Sequence, residues 1–286
     1  MLPEILRLSI VSKPATARAY FGYFKRGFAT QIETQSVWRW SRRPCGEALN
    51  EMHSAICKSW HDESYRRSGF AAQRLYPNEE LLRFFGRHYF RIPVQQRQAV
   101  RVLETGCGSG ANLWMIAREG FDAHGIELSP EGVALCKKML AHWQTQATVS
   151  LGDMTAIQHP DHSFDAVVDV FSPYCLDESG FAVFLDEVKR ILRPGARFFS
   201  YTPSKASDAF RDPGPSRFID ASTLDGIRRE GAAFSGNHYP FRFISPGEYV
   251  AALESRQLRV IYNETVGRTY RAGTEYFEFV VIVGEN

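Results

Sequence analysis

The sequence predicts an α/β protein built on a doubly wound, mostly parallel sheet of seven strands with an antiparallel last strand. From about residue 99 to 202, short β-branched runs alternate with helical stretches, which is typical of a parallel sheet with helices on both faces. A glycine-rich turn joins the first of these strands to the next helix. The last two apolar runs are separated only by a short turn-rich segment, so we expect them to pair antiparallel.

Residues 1–97 are predicted to form an N-terminal helical cap, because they are rich in aromatic residues and show helical spacing without strand alternation. Asn78 is a favourable N-cap for the segment NEELLRFFGRHYF. The apolar residues of that segment share one helical face: Leu81, Phe84, Phe85 and Tyr89. The stretches 15–35 and 47–66 are also predicted to be helical.

Residues 98–286 are predicted to form the sheet domain. Its first five strands are expected at VRVLETG, DAHGIEL, TVSLG, FDAVVDVF and ARFFSYT, with helices at GANLWMIAREG, PEGVALCKKMLAHW and GFAVFLDEVKRILR. Right-handed crossovers then limit the topology to doubly wound forms. Pro, Gly and Ser interrupt the pattern over 203–243, which predicts an insertion after the fifth strand. A helix at SPGEYVAALESRQL and the strands RVIYNETV and EYFEFVVIV follow.

The composition excludes several classes of protein. With 44% hydrophobic residues, 34 Lys and Arg, and 32 Asp and Glu, the chain is ordinary globular material. No apolar run approaches the roughly 18 residues of a membrane helix, so no membrane partner is expected. The small net charge of +2 disfavours DNA binding. Five cysteines without a CxxC pair favour a reduced, cytoplasmic location.

Residues 1–45 contain eight Lys or Arg against two Asp or Glu. An organelle-targeting segment has this charge pattern, but Glu4 and Glu33 argue against it, and we interpret the stretch as the start of the folded protein. The basic excess is typical of a solvated face, and an anionic substrate is the alternative.

The segment LETGCGSGAN ends the first predicted strand and opens the following helix. Glycines at this position allow a tight turn and a close approach of ligand to backbone. Alone, the turn is ambiguous, because Gly106, Gly108 and Ala111 also satisfy the dinucleotide pattern G-x-G-x-x-A.

Three carboxylates follow the ends of the first three strands and reduce this ambiguity. Glu104 lies two residues before the first glycine, where it can receive an ammonium group. Glu127 ends the second strand, where a carboxylate can accept both hydroxyls of a ribose. Asp153 follows the third strand and can accept a hydrogen bond from an exocyclic adenine amine.

Together these motifs resemble the class I S-adenosylmethionine-dependent methyltransferases, which have a Rossmann-like fold. The resemblance is close over about residues 99–202. Over 246–284 it is limited to the architecture, because the family also ends with an antiparallel pair of strands. It implies that Glu104 binds the methionine amine, the glycine turn the methionine portion, Glu127 the ribose, and Asp153 the adenine. The full set of cofactor-binding residues predicted is Glu104, Gly106, Cys107, Gly108, Asn112, Glu127, Leu128, Asp153, Met154, Asp169 and Tyr76.

Tyr76 and Arg74 belong to a segment that covers the cofactor in related small-molecule methyltransferases; a simple helix cap is the equal alternative. Cys107 is more typical of a residue packed behind the cofactor than of a nucleophile. His159 and His162 have ligand-like spacing, but nothing completes a metal site, so no metal is predicted.

The expected reaction moves a methyl group to an oxygen or nitrogen of a small-molecule acceptor. The sequence after the fourth strand, Val170–Tyr174, lacks the Pro-Pro-aromatic motif of nucleobase and glutamine methyltransferases, which disfavours those acceptors. A general base is needed only for a protonated nucleophile, and the candidates are His238, Tyr174 and Asp169. Tyr239 is predicted to line the acceptor pocket.

Several alternatives stay open at this point. An aromatic substrate wall and simple helix packing both explain the aromatic residues of the cap: Tyr20, Tyr23, Trp38, Trp40 and Trp60. RNA or protein methylation, an NAD-dependent oxidoreductase and a non-catalytic cofactor-binding protein are the alternative functions. The acceptor and the oligomeric state are not predicted.

Overall fold

The computed structural model describes residues 45–286, so the predicted helix at 15–35 and the aromatic and basic residues before Cys45 lie outside the described part. The helix predicted at 47–66 is present as α1 (Cys45–Ser68). A short 3₁₀ turn, Phe70–Ala72, leads to α2 (Glu79–His88) and α3 (Val94–Arg97). Asn78 caps α2 as predicted: its side chain accepts the N–H groups of Glu80 and Leu81 at 2.8 and 3.1 Å.

The strands form the predicted seven-stranded sheet. The bounds of the five parallel strands are β1 Arg101–Thr105, β2 Asp122–Glu127, β3 Thr148–Leu151, β4 Phe164–Val170 and β5 Leu192–Pro203. The last two strands are β8 Arg259–Tyr270 and β9 Glu275–Glu285. Their order across the sheet is β3-β2-β1-β4-β5-β9-β8, and β9 runs antiparallel to both of its neighbours.

From β1 the chain adds β2 and β3 on one side of β1, and then β4 and β5 on the opposite side. Ligands of such sheets bind beyond the carboxyl ends of the strands at this switch point. The register pairs Thr105 at the end of β1 with Ile126 on β2 and Asp169 on β4. The residues that follow these strands therefore meet at one edge.

Both faces of the sheet are buried under helices. Adjacent β1 residues show this, because Val102 packs into one apolar cluster and Leu103 into the other. The first cluster includes α2, α4 (Leu113–Arg118) and α5 (Pro130–His142), and the second includes α6 (Glu178–Ile191) and α8 (Pro246–Glu254). None of the helices within residues 45–286 is long and apolar enough to cross a bilayer.

The insertion after β5 contains α7 (Asp208–Arg211) and a two-stranded ribbon, β6 (Thr223–Leu224) with β7 (Phe241–Arg242). It packs through aromatic side chains onto the residues that follow β4. The ring of Phe241 lies 4.7 Å from that of Tyr174 and 6.1 Å from that of Phe171. The insertion therefore covers the carboxyl edge of the sheet.

Removing the N-cap of α2 should destabilise the protein. We expect Asn78→Ala to lower the free energy of unfolding by about 1 kcal/mol, because two amide groups lose their acceptor. Urea unfolding of the unliganded protein measures this. Asn78→Asp keeps the acceptor oxygen and should stay within about 0.5 kcal/mol of the wild type; equal losses in both variants would contradict a capping role.

Candidate cofactor and acceptor site

A cavity of about 100 Å³ lies at the carboxyl edge of the sheet, between the strand ends and α1. The ends of β1, β2 and β3 contribute Gly106, Glu127 with Leu128, and Asp153 with Met154. The turn after β4 adds its residues from the other side of the switch point: Phe171, Ser172, Tyr174, Cys175 and Leu176. The cavity therefore brings together residues that the sequence places in separate motifs.

The glycine turn needs its glycines for two different reasons. Gly106 has φ 60°, and a Cβ there would collide with the Cβ of Ser172, so a side chain at this position disrupts the protein itself. Gly108 has φ 52°, and a Cβ there would meet only the hydroxyl of Tyr65, at 3.0 Å. Gly108 therefore keeps the backbone open toward α1 and the cavity.

Glu127 is buried and lines the cavity. Its two carboxylate oxygens accept the N–H groups of Gly108 and Ser129, each at 2.9 Å. Burial raises the pKa of Glu127, and these backbone hydrogen bonds oppose the rise. Since each carboxylate oxygen has a second lone pair, the group can still accept two further hydroxyl donors.

Glu104 is the penultimate residue of β1, and its side chain is buried. One oxygen accepts the side-chain amide of Asn112 at 2.6 Å, whereas Oε2 has no hydrogen-bond partner among the described residues. Burial raises the pKa of Glu104 to about 8. An unpaired buried carboxylate oxygen is unfavourable, and an ammonium group at this position would satisfy it.

Asn112 connects Glu104 to the segment before α2. Its amide oxygen accepts from the Arg74 guanidinium and from the backbone N–H of Asn78, each at 2.9 Å. Tyr76, by contrast, is 64% exposed and packs edge-on against Trp143 at 5.5 Å. The segment thus reaches the site through Arg74, and the side chain of Tyr76 points away from the cavity.

Asp153 lies on the cavity wall beside Met154. Its Oδ1 accepts both the backbone N–H and the hydroxyl of Thr155, at 2.8 and 2.7 Å. Among the described residues, its Oδ2 accepts only the Ser54 hydroxyl of α1, at 3.3 Å. This second oxygen is therefore the one that can accept an adenine amine.

Asp169 does not line the cavity, which differs from the role predicted for it. Its oxygens accept the Ser172 N–H at 2.9 Å, the Ser172 hydroxyl, and the Ser200 hydroxyl at 2.7 Å. Complete burial raises the pKa of Asp169 to about 7. The carboxylate fixes the turn after β4 and is not exposed to an acceptor.

Cys107 also turns away from the cavity. Its thiol packs against Cys136 of α5 and fills the space above Gly125. The contact with Cys136 and burial hold the pKa of the Cys107 thiol well above its usual range, which makes it a poor nucleophile. Of this residue, only the backbone belongs to the ligand turn.

The predicted acceptor residues separate into two groups. Tyr174 lines the cavity, and its hydroxyl hydrogen bonds to that of Tyr239; both side chains are buried. His238 is exposed and does not contribute to the cavity wall.

The sequence analysis missed the residues that α1 contributes to the cavity: Ser54, Cys57, Lys58, His61 and Tyr65. They recur every three or four residues and so form one helical stripe. The helical spacing of these residues could be seen in the sequence, but the sequence did not show that they face the strand ends. Trp60, predicted as an aromatic wall or packing residue, contacts the Tyr239 ring at 5.1 Å.

α1 closes over the cavity through polar contacts. Asp62 accepts the hydroxyl of Ser129, the N-cap of α5, and His53 pairs with Asp177 at 3.0 Å. The enclosed volume is smaller than the roughly 300 Å³ of the smallest typical ligand pockets. The residues fit the groups of S-adenosylmethionine by charge and hydrogen-bonding type, and the cavity must widen to admit a molecule of that size.

Within residues 45–286, no group of three or more His, Cys, Asp or Glu side chains could hold a metal ion. The ring nitrogen of His162 contacts the Leu192 carbonyl at 2.9 Å. The ring of His159 lies edge-on to Phe164 at 4.9 Å.

Comparison with known proteins identifies the domain. Residues 102–195 match the methyltransferase domain family. A fatty-acid O-methyltransferase from Mycolicibacterium smegmatis is 34% identical over 131 residues, which are 45% of this chain and 46% of the relative. A probable phthiotriol/phenolphthiotriol dimycocerosates methyltransferase from Mycobacterium ulcerans is 36% identical over 103 residues, 35% and 38% of the two chains. The chain thus spans less than half the length of these curated relatives.

Solved structures share the fold. An S-adenosylmethionine-dependent methyltransferase from Methanosarcina mazei matches with a TM-score of 0.54 and 20% identity over 65% of this chain and 92% of its own. The Burkholderia thailandensis 1,6-didemethyltoxoflavin N1-methyltransferase, crystallised with S-adenosylhomocysteine, matches with a TM-score of 0.53 and 16% identity over 83% and 90%. The resemblance to class I S-adenosylmethionine-dependent methyltransferases is therefore confirmed over residues 102–195, and the solved structures share the fold of the sheet.

Cofactor binding should release a proton through Glu104. With its pKa raised to about 8, Glu104 is mostly protonated at pH 6.5, and a bound ammonium group would lower that pKa and ionise it. We expect close to one proton released per S-adenosylhomocysteine bound at pH 6.5, and an affinity that rises with pH up to about 8. Calorimetry in two buffers of different ionisation enthalpy measures the release.

Glu104→Gln is the matched variant for this measurement, because it keeps the shape of the side chain and cannot titrate. Its proton release should fall by the amount that Glu104 contributes. The same release in the variant and the wild type would remove the ammonium-binding role.

Proposed function

We propose that the protein transfers a methyl group from S-adenosylmethionine to a small-molecule acceptor. The observation that carries this proposal is the placement of three carboxylates around one edge of the sheet. Glu104 is buried next to the glycine turn and has one carboxylate oxygen without a hydrogen-bond partner among the described residues. Glu127 lines the cavity and can accept two further donors, and one oxygen of Asp153 is bonded only weakly, by Ser54 at 3.3 Å. These acceptors match the amine, ribose and adenine groups of the cofactor in their order along the strand ends.

The cofactor supplies an activated methyl group, so the residues of the chain have to position the acceptor and exclude water. α1 roofs the cavity from one side, and the insertion presses Tyr239 and Phe241 against Tyr174 from the other. A roofed cavity favours a small acceptor over a polymer, which needs an open track. RNA and protein substrates are therefore the less supported alternatives.

The acceptor is proposed to have an apolar body. Side chains without charge form much of the cavity wall: Ile126, Leu128, Met154, Phe171, Tyr174 and Leu176. Two relatives carry names that refer to lipids, one a fatty-acid O-methyltransferase and the other a dimycocerosates methyltransferase. An oxygen acceptor on a lipid-like molecule is consistent with both observations.

The direct test is a transfer assay with cofactor labelled in its methyl group. The purified protein should transfer label to an organic-soluble small molecule from a fractionated metabolite extract. Transfer to intact RNA or protein with none to the small-molecule fractions would contradict the proposed acceptor class, and NAD binding without S-adenosylhomocysteine binding would contradict the function.

A side chain at Gly108 should block the cofactor. We expect Gly108→Ala to weaken S-adenosylhomocysteine binding at least about tenfold, which is about 1.4 kcal/mol, because the new Cβ crowds the hydroxyl of Tyr65, which lines the cavity. Calorimetry measures the affinity.

Gly195→Ala is the control for backbone strain. Gly195 also has a positive φ, 77°, but a Cβ there has no neighbour within 4 Å. This variant should bind S-adenosylhomocysteine like the wild type. Equal affinity losses in both variants would show that strain alone, and not occupation of the ligand space, explains the effect.

A further inference from the structure

His61 occupies a distinctive position on the cavity-facing stripe of α1. Its ring lies 5.4 Å from that of Tyr239 and 5.8 Å from that of Tyr65, and it contributes to the cavity wall together with Tyr174. Among the described residues, the ring nitrogens of His61 have no hydrogen-bond partner. The imidazole therefore lies on the cavity wall beside Tyr239, and neither ring nitrogen is engaged by another described residue.

Four other titratable groups around the cavity are engaged or unsuited to receive a proton. The hydroxyls of Tyr174 and Tyr239 bond to each other. Burial holds the pKa of both phenols well above the usual range. Glu127 accepts two backbone N–H groups. The Cys57 thiol has its pKa raised by its contact with Cys175 and by burial.

His61 itself is neutral at physiological pH, because burial lowers its pKa to about 4. A neutral imidazole always presents one nitrogen lone pair and one N–H group. It can therefore accept a hydrogen bond from a hydroxyl before it receives the proton.

The charges around the cavity also select among acceptors. Glu127 and Asp153 are both on its wall, and the one lysine that the described residues place there, Lys58, is ion-paired to Asp62 at 2.8 Å. A carboxylate acceptor would enter beside these acids without a free cationic partner. A neutral hydroxyl acceptor avoids that repulsion.

We propose that the acceptor carries a hydroxyl group and that His61 is the catalytic residue that receives its proton; this rests on the proposed methyltransferase function. The acceptor oxygen forms a bond to the methyl carbon as the bond between that carbon and sulfur breaks. The hydroxyl proton passes to an imidazole nitrogen and then to solvent. This acceptor differs from the one in the name of the fatty-acid O-methyltransferase relative. An ionised fatty acid has no proton to lose, so its methylation needs no base.

Two probes of similar length and different head groups test the acceptor class: 3-pentadecylphenol and hexadecanoic acid. We expect label from methyl-labelled cofactor to reach the phenol in preference to the acid. His61→Gln keeps hydrogen bonding but is not a base, so kcat with the phenol should fall about a hundredfold or more. Its KM for the phenol and its affinity for S-adenosylhomocysteine should stay within about twofold, because Gln keeps the hydrogen bond.

His142→Gln is the matched control, because His142 is exposed and lies beside Phe70 and Trp143, away from the cavity wall. It should retain the wild-type kcat. A further readout does not depend on turnover: in ¹⁵N-histidine-labelled protein with S-adenosylhomocysteine bound, the phenol should shift the His61 imidazole signals. These signals are assigned by their loss in His61→Gln.

The outcomes separate the two proposals. Preference for the fatty acid, an unchanged kcat in His61→Gln, or imidazole signals that the phenol leaves unmoved would each overturn the inference while the methyltransferase proposal stands. Failure of the wild type to bind S-adenosylhomocysteine would overturn the proposed function itself. If His61→Gln does not fold, the preference of the wild type for the phenol over the fatty acid still decides.

Discussion

Asn112 lies at the centre of a buried hydrogen-bond relay on which the geometry of the site depends. Its amide nitrogen donates to Glu104, and its amide oxygen accepts from Arg74 and from the backbone of Asn78. Only a side chain with both a donor and an acceptor can do this. An aspartate would place a second carboxylate beside Glu104, and a leucine would leave all three partners unsatisfied.

The relay supplies a hydrogen bond to only one of the two carboxylate oxygens of Glu104. One oxygen is hydrogen bonded and the other is not, in an environment that raises the pKa of the carboxyl to about 8. The unliganded protein thus carries an unfavourable buried group. A ligand ammonium bound at Glu104 would relieve this cost, and the relief would contribute to the binding free energy.

Much of this architecture could be predicted from the sequence, because its signals are local. Alternating apolar runs predicted the strands. Gly106 and Gly108 follow Glu104 closely in the sequence, so the glycine turn and the first acid of the site could be predicted together. Asp169 shows what local reasoning leaves out: its residue type and its position near a strand end suit a site, whereas the structure encloses its carboxylate between Ser172 and Ser200. The sequence also indicated α1, yet only the tertiary structure shows that its stripe with His61 faces the strand ends.

The negative charges beside the glycine turn also argue against the dinucleotide cofactor that the glycine pattern alone would allow. In nucleotide-binding turns, free backbone N–H groups and the helix N-terminus attract phosphate. Here the N–H of Gly108 is already bonded to the Glu127 carboxylate, and Glu104 lies buried behind the same turn. A diphosphate would have to displace one carboxylate and approach another, whereas a cofactor that carries an ammonium and a sulfonium meets complementary charge. The arrangement of the acids, more than the glycines, therefore favours S-adenosylmethionine.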